Sequence, residues 1–115
     1  MKQETAIAMF ESLASGLRLE VYRLLVRVEP AGMVAGEIAA ALDVPPAKLS
    51  FHLKALTRAG LLSCVQEGRF QRYRADISRM QALIAYLMDA CCAGRPLQCG
   101  FGAEASPPGG AGPCE

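Results

Sequence analysis

Four of the five cysteines, Cys91, Cys92, Cys99 and Cys114, lie beyond position 90. Cys91 and Cys92 are adjacent, and adjacent Cα atoms sit about 3.8 Å apart. That is below the separation a disulfide prefers, so a bridge between them would be strained. A shared ion suits such a pair better, because both sulfurs can turn to one centre where a helix end loosens. Gly94 and Pro96 let the chain fold back, which brings Cys99 to the same centre. Three thiolates with no histidine beside them suit a soft, three-coordinate guest, and trivalent arsenic or antimony fits that description. Zinc would want a fourth ligand, and only Cys114 or water is at hand. Cys64 falls in a short strand-like run, where a small buried hydrophobe is expected.

A second constellation is cationic. Residues 45–79 carry Lys48, Lys54, Arg58, Arg69, Arg72, Arg74 and Arg79 against only Glu67 and Asp76. The segments on either side are net acidic, and the whole chain balances to +1. A basic middle between acidic flanks is what one DNA-facing surface requires, although a merely solvated charged face would look alike. The single histidine, His52, lies inside that segment. With no Cys-His or Ser-His pair to build, an enzyme is not expected.

Composition bounds the rest. The chain has 115 residues, of which 52% are hydrophobic and 20% charged, which suits one folded domain. No apolar stretch reaches the roughly 20 residues of a membrane helix. Met1-Lys2-Gln3-Glu4 opens no secretory leader, so a cytoplasmic protein is expected.

The elements that must position these groups follow from periodicity and punctuation. Ala6, Met9, Phe10 and Leu13 recur at helical spacing. Ser15 can cap a second helix, Leu17 to about Val28, with Leu17, Val21, Leu24, Leu25 and Val28 on one face. Pro30-Ala31-Gly32 reads as a turn, and residues 36–42 as a short helix burying Ile38, Ala39 and Leu42. Asp43-Val44-Pro45 breaks it. Pro46 suits the first turn of a fourth helix, which places Leu49, Leu53 and Leu56 inward and stops at Gly60. Two strand-like runs follow, 61–66 and 70–75, joined by Glu67-Gly68-Arg69 as a hairpin turn. A last helix from Ile77 to about Cys91 carries an apolar stripe of Met80, Leu83, Ile84, Leu87, Met88 and Cys91. That stripe is too long for so small a core unless a partner covers part of it. From Gly100 onward Gly and Pro supply 8 of 16 residues, so this stretch is expected to stay mobile.

A short helix, a tight turn and a longer basic helix read as helix-turn-helix, and the basic hairpin reads as a wing. Lys48, Ser50 and His52 are candidates for hydrogen bonds to bases or phosphates, with Phe51 beside them near the groove-entering end. For His52 a capping or packing role is an equal alternative. Lys54 and Arg58 suit phosphate or solvent. Arg69, Arg72 and Arg74 would lie along phosphates, with salt-sensitive, sequence-independent contacts.

Residues 49–62, LSFHLKALTRAGLL, resemble the S-x-H-L-x-x-L-x-x-A-G-L block of the ArsR/SmtB winged-helix repressors. Arg18-Leu19-Glu20-Val21-Tyr22-Arg23-Leu24-Leu25 resembles that family's R-L-x-I-L-x-L-L helix. Gly36-Glu37-Ile38-Ala39 is similar to its first helix-turn-helix helix, and Glu67-Gly68-Arg69 with Tyr73 to its wing. The resemblance spans roughly residues 5–92. It implies a mainly α, winged α+β fold of four helices, a two-stranded hairpin and a fifth helix. It also implies a homodimer through the first and last helices, and a repressor that leaves its operator when an inducer binds. Residues 1–92 would be the DNA-binding and dimerisation domain, and 93–115 a cysteine-containing tail, largely flexible beyond 100.

The C-x-C pair that many arsenic-responsive members carry on the first helix-turn-helix helix is missing here, as are the histidines of zinc sensors and the N-terminal cysteines of cadmium and lead sensors. What remains resembles the arsenic-sensing subgroup with C-C and a later C at the end of the last helix. The expectation is therefore an arsenite- or antimonite-responsive repressor with Cys91, Cys92 and Cys99 as ligands. A repressor switched by thiol oxidation or persulfide is the alternative. A soft-metal carrier would leave the basic middle unexplained.

Overall fold

The computed structural model describes residues 1–89. Cys91, Cys92, Cys99 and Cys114, and the domain-and-tail division at 92, lie outside the described residues. In chain order the elements are helix α1 (Gln3–Leu13), helix α2 (Gly16–Arg27), strand β1 (Met33–Val34), helix α3 (Ala35–Leu42), helix α4 (Pro46–Arg58), strand β2 (Leu62–Glu67), strand β3 (Phe70–Ala75) and helix α5 (Ile77–Leu87). This is the winged helix-turn-helix architecture, five helices with a small antiparallel sheet.

The sheet holds one more strand than the hairpin expected from sequence. Its order is β1-β3-β2, so β3 is central. Met33 pairs with Tyr73 and Val34 with Arg72. Two residues offer no alternation to detect, which is why β1 leaves no sequence pattern. Gly32, just before β1, has φ +71°, and a Cβ there would lie 2.5 Å from the Tyr73 carbonyl oxygen. Glycine is what lets this segment approach β3 so closely.

The chain divides into two units, Met1–Arg79 and a second beginning at Met80. The core of the first gathers Met9, Val21, Leu25, Ile38, Leu49, Leu53, Leu56 and Leu61, all essentially without solvent contact. Each such side chain stabilises the fold by about 1.5–3 kcal/mol relative to exposure. In the second unit Leu83 is buried, Met80, Ile84 and Met88 are half-buried, and Leu87 is exposed. The last helix is shorter than expected: after Leu87 the Asp89 N–H bonds to the Tyr86 carbonyl, an i→i−3 contact that tightens the end. Asp76 begins α5 by accepting from the Arg79 N–H at 3.0 Å and the Ser78 hydroxyl at 2.9 Å.

Cys64 is a correction to expectation. It sits opposite Tyr73 but is exposed, since Leu62 is the one buried residue of β2. Beyond Leu62 the strand leaves the core, so alternation no longer translates into burial.

Candidate nucleic-acid interface

The turn between α3 and α4 is set by local chemistry. Asp43 ends α3 in the left-handed region at φ 55°, a conformation Asp tolerates better than most residues. The Val44 N–H bonds to the Ala39 carbonyl at 3.0 Å and the Asp43 N–H to the Ala40 carbonyl at 3.4 Å, closing a Schellman turn. At the other end of α3, the Glu37 carboxylate accepts from the Val34 N–H at 3.0 Å and satisfies one orphan donor. Helix α4 then starts on Pro46, whose missing N–H costs nothing there. It stops in a second Schellman turn, Leu61 N–H to Leu56 carbonyl and Gly60 N–H to Thr57 carbonyl, with Gly60 at φ +86°.

Burial splits α4 into two faces. Leu49, Leu53 and Leu56 are at most 1% exposed. Lys48, Ser50, Phe51, Lys54 and Arg58 are exposed, and Phe51 at 65% is the most exposed large apolar side chain among the described residues.

His52 lies between the faces and is half-buried. The Arg18 Nε–H of α2 donates to its Nδ1 at 2.9 Å, and the Arg18 guanidinium also stands 5.6 Å from the Phe51 ring centre. The Phe51 and His52 rings meet edge to face at 5.3 Å. Burial, and then the charges of Arg18 and Lys48, lower the His52 pKa, which favours the neutral ring at neutral pH. Arg18, which opens the family-like segment of α2, was not among the site residues read from sequence. Its partner lies 34 positions away, and no local pattern signals that.

The wing is a two-residue hairpin. Glu67 pairs with Phe70, leaving Gly68 at φ +63° and Arg69 at the tip. Its three arginines are not equivalent. Arg72 donates to both Glu67 carboxylate oxygens at 3.0 Å and reaches the Ala31 and Gly32 carbonyls at 3.4 Å. Arg74 donates to Glu29 at 2.9 Å, and that bond and charge raise its pKa further. Both therefore clamp the wing to the segment before β1. Arg69 makes no ion pair among the described residues. The α4 face and the Arg69 tip are thus the basic groups left open, while Arg72 and Arg74 are engaged inside the chain.

No group of three or more His, Cys, Asp or Glu that could hold a metal occurs among the described residues, and none of their helices is long and apolar enough to cross a membrane.

Residues 13–65 match the family model described as a helix-turn-helix domain. No curated protein sequence matches the chain. Among solved structures, HlyU from Vibrio cholerae is 26% identical with a TM-score of 0.62, covering 80% of this chain and 99% of that one. The homodimeric winged helix-turn-helix DNA-binding domain of a possible ArsR-family regulator from Mycobacterium bovis is 29% identical with a TM-score of 0.60, covering 76% and 81%. An ArsR-like transcriptional regulator from Rhodococcus sp. RHA1 is 25% identical with a TM-score of 0.69, covering 90% and 94%. Residues 13–65 accordingly match a helix-turn-helix domain, and the chain has the winged fold of the possible ArsR-family regulator from Mycobacterium bovis and of the ArsR-like regulator from Rhodococcus sp. RHA1.

Proposed function

We propose that this chain is an arsenic(III)-responsive transcriptional repressor that binds duplex operator DNA as a homodimer and lets go when arsenite or antimonite is bound by Cys91, Cys92 and Cys99. The observation that carries the DNA-binding part is the exposed face of α4. Lys48, Ser50, Phe51, Lys54 and Arg58 stand open over a leucine-packed back, in a winged helix-turn-helix fold. Helix α4 enters the major groove, and Arg69 at the wing tip meets a flanking phosphate. Homodimerisation is supported by the Mycobacterium bovis neighbour, which is homodimeric. It is also supported by exposed apolar side chains on the first and last helices: Ile7 and Phe10 on α1, Leu87 on α5.

The arsenic part rests on the sulfur triad of the sequence and the resemblance built on it. Binding exchanges each As–OH bond of As(OH)3 for an As–S bond, and each thiol proton leaves with the displaced hydroxide as water, so no net proton is released. Gathering three sulfurs round one centre pulls on the chain that follows α5. Helix α5 supplies part of the dimer face, so the pull alters the spacing of the two α4 helices. The resulting coupling free energy is about 1–3 kcal/mol.

Arsenite titrated against an operator complex of the wild-type protein and of a Cys91→Ser, Cys92→Ser, Cys99→Ser variant tests this. Release from the wild type alone, with three sulfurs around arsenic by X-ray absorption, is the expected result. Equal release from both proteins removes the triad. Release by oxidant or polysulfide and not by arsenite transfers the response to thiol oxidation.

A further inference from the structure

His52 has two ring nitrogens, and the structure leaves only one of them available. The Arg18 guanidinium carries donors and no acceptor, at every pH a protein survives. An Arg18 Nε–H at 2.9 Å from Nδ1 therefore requires a bare lone pair on Nδ1. The neutral ring must then carry its proton on Nε2. That nitrogen makes no hydrogen bond among the described residues, and it is not sealed from solvent. The charges facing the ring are both positive, Arg18 from α2 and Lys48 from α4 itself, and they oppose a second proton.

We propose that Arg18 is a positioning residue that sets what α4 can read: it makes His52 a pure donor at Nε2 and holds Phe51 out beside it as an apolar contact. This rests on the DNA-binding reading above. A donor at Nε2 pairs with acceptors, namely guanine O6 or N7, adenine N7, thymine O4 or a phosphate oxygen, and it repels the cytosine amino group. A ring with its proton on Nδ1 would present the opposite pattern. Phe51 suits a thymine methyl. Arg18 thereby decides the hydrogen-bond polarity at one position of each half-site.

Nitrogen-resolved NMR of the full chain at about pH 7 reads the tautomer directly. Binding-site selection from a randomised duplex library reads the base preference. The wild type is expected to show the Nε2–H form and to disfavour cytosine at one position per half-site. Arg18→Ala should mix the tautomers and flatten that preference by about fivefold, the effect of one hydrogen bond. Arg18→Lys, which keeps a cationic donor, should restore part of it. A wild-type ring protonated on Nδ1 overturns the inference even if Arg18→Ala does not fold. So does an Arg18→Ala protein that keeps the same tautomer and the same base preference. If the wild type binds no duplex at low ionic strength, the DNA-binding reading falls and takes this inference with it. Failure confined to the tautomer or the preference leaves that reading standing.

Discussion

Arg72 grips both carboxylate oxygens of Glu67 at 3.0 Å from the diagonal position across the hairpin, Val65 being its direct partner. The pair is part-exposed, so its net stabilisation is at most about 1 kcal/mol. Its larger effect is on charge. With Arg74 held by Glu29, it leaves Arg69 as the wing cation without an ion pair among the described residues.

The wing arginines should therefore separate in a salt titration of DNA binding. Arg69→Ala is expected to lower the slope of log affinity against log salt by about 0.9, the share of one phosphate contact. Arg72→Ala and Arg74→Ala should change the slope less and lower the Tm instead. Fluorescence anisotropy across a salt series, with thermal melts beside it, checks both. An equal loss of slope for all three would mean that the intrachain pairs open on DNA.

The glycines at Gly32 and Gly68 both have positive φ, but only one is crowded. Nothing lies within 4 Å of a Cβ at Gly68. Gly68→Ala should cost about 1–2 kcal/mol, the backbone term alone. At Gly32 a Cβ meets the Tyr73 carbonyl oxygen at 2.5 Å and Arg74 Cγ at 2.6 Å, so Gly32→Ala should cost clearly more. Urea unfolding of the two variants ranks them, and an inverted order would contradict the β1–β3 contact.

The fold should lose stability on the acid side through His52. Its pKa is lowered in the folded state, first by burial and then by Arg18 and Lys48. The folded ring thus binds fewer protons than the unfolded one below about pH 6.5, its ordinary value. The contribution is complete above that pH and fades as pH falls through the lowered value. Stability measured from neutral to mildly acid pH should drop less steeply in His52→Gln than in the wild type. Parallel curves would mean that His52 is not held buried beside the two cations.

Neighbouring positions on α4 should behave oppositely. Leu53 is 1% exposed, and Leu53→Ala should destabilise by about 2–5 kcal/mol. Phe51 is 65% exposed, so Phe51→Ala should change stability by no more than about 0.5 kcal/mol. Its effect should appear in DNA binding, as weaker preference for sites carrying thymine. Calorimetry and binding-site selection separate the two outcomes.

Local signals alone determined much of this protein. Leucines at helical spacing, Pro46 at a helix start, Gly60 at a helix end and Gly68 in a two-residue loop act over a few residues, and the helices and hairpin follow from them. The same periodicity put Leu49, Leu53 and Leu56 inward and so exposed Lys48, Ser50, Phe51 and Lys54. Tertiary structure decided what each candidate group is free to do. Arg74 finds Glu29 across 45 positions, Arg72 finds Ala31 and Gly32, and His52 finds Arg18 across 34. Strand β1 exists because β3 offers it a partner, and Cys64 is exposed because β2 leaves the core after Leu62. Hydrogen bonds and ion pairs between distant segments depend on the three-dimensional arrangement of the backbone, and no spacing along the chain encodes that.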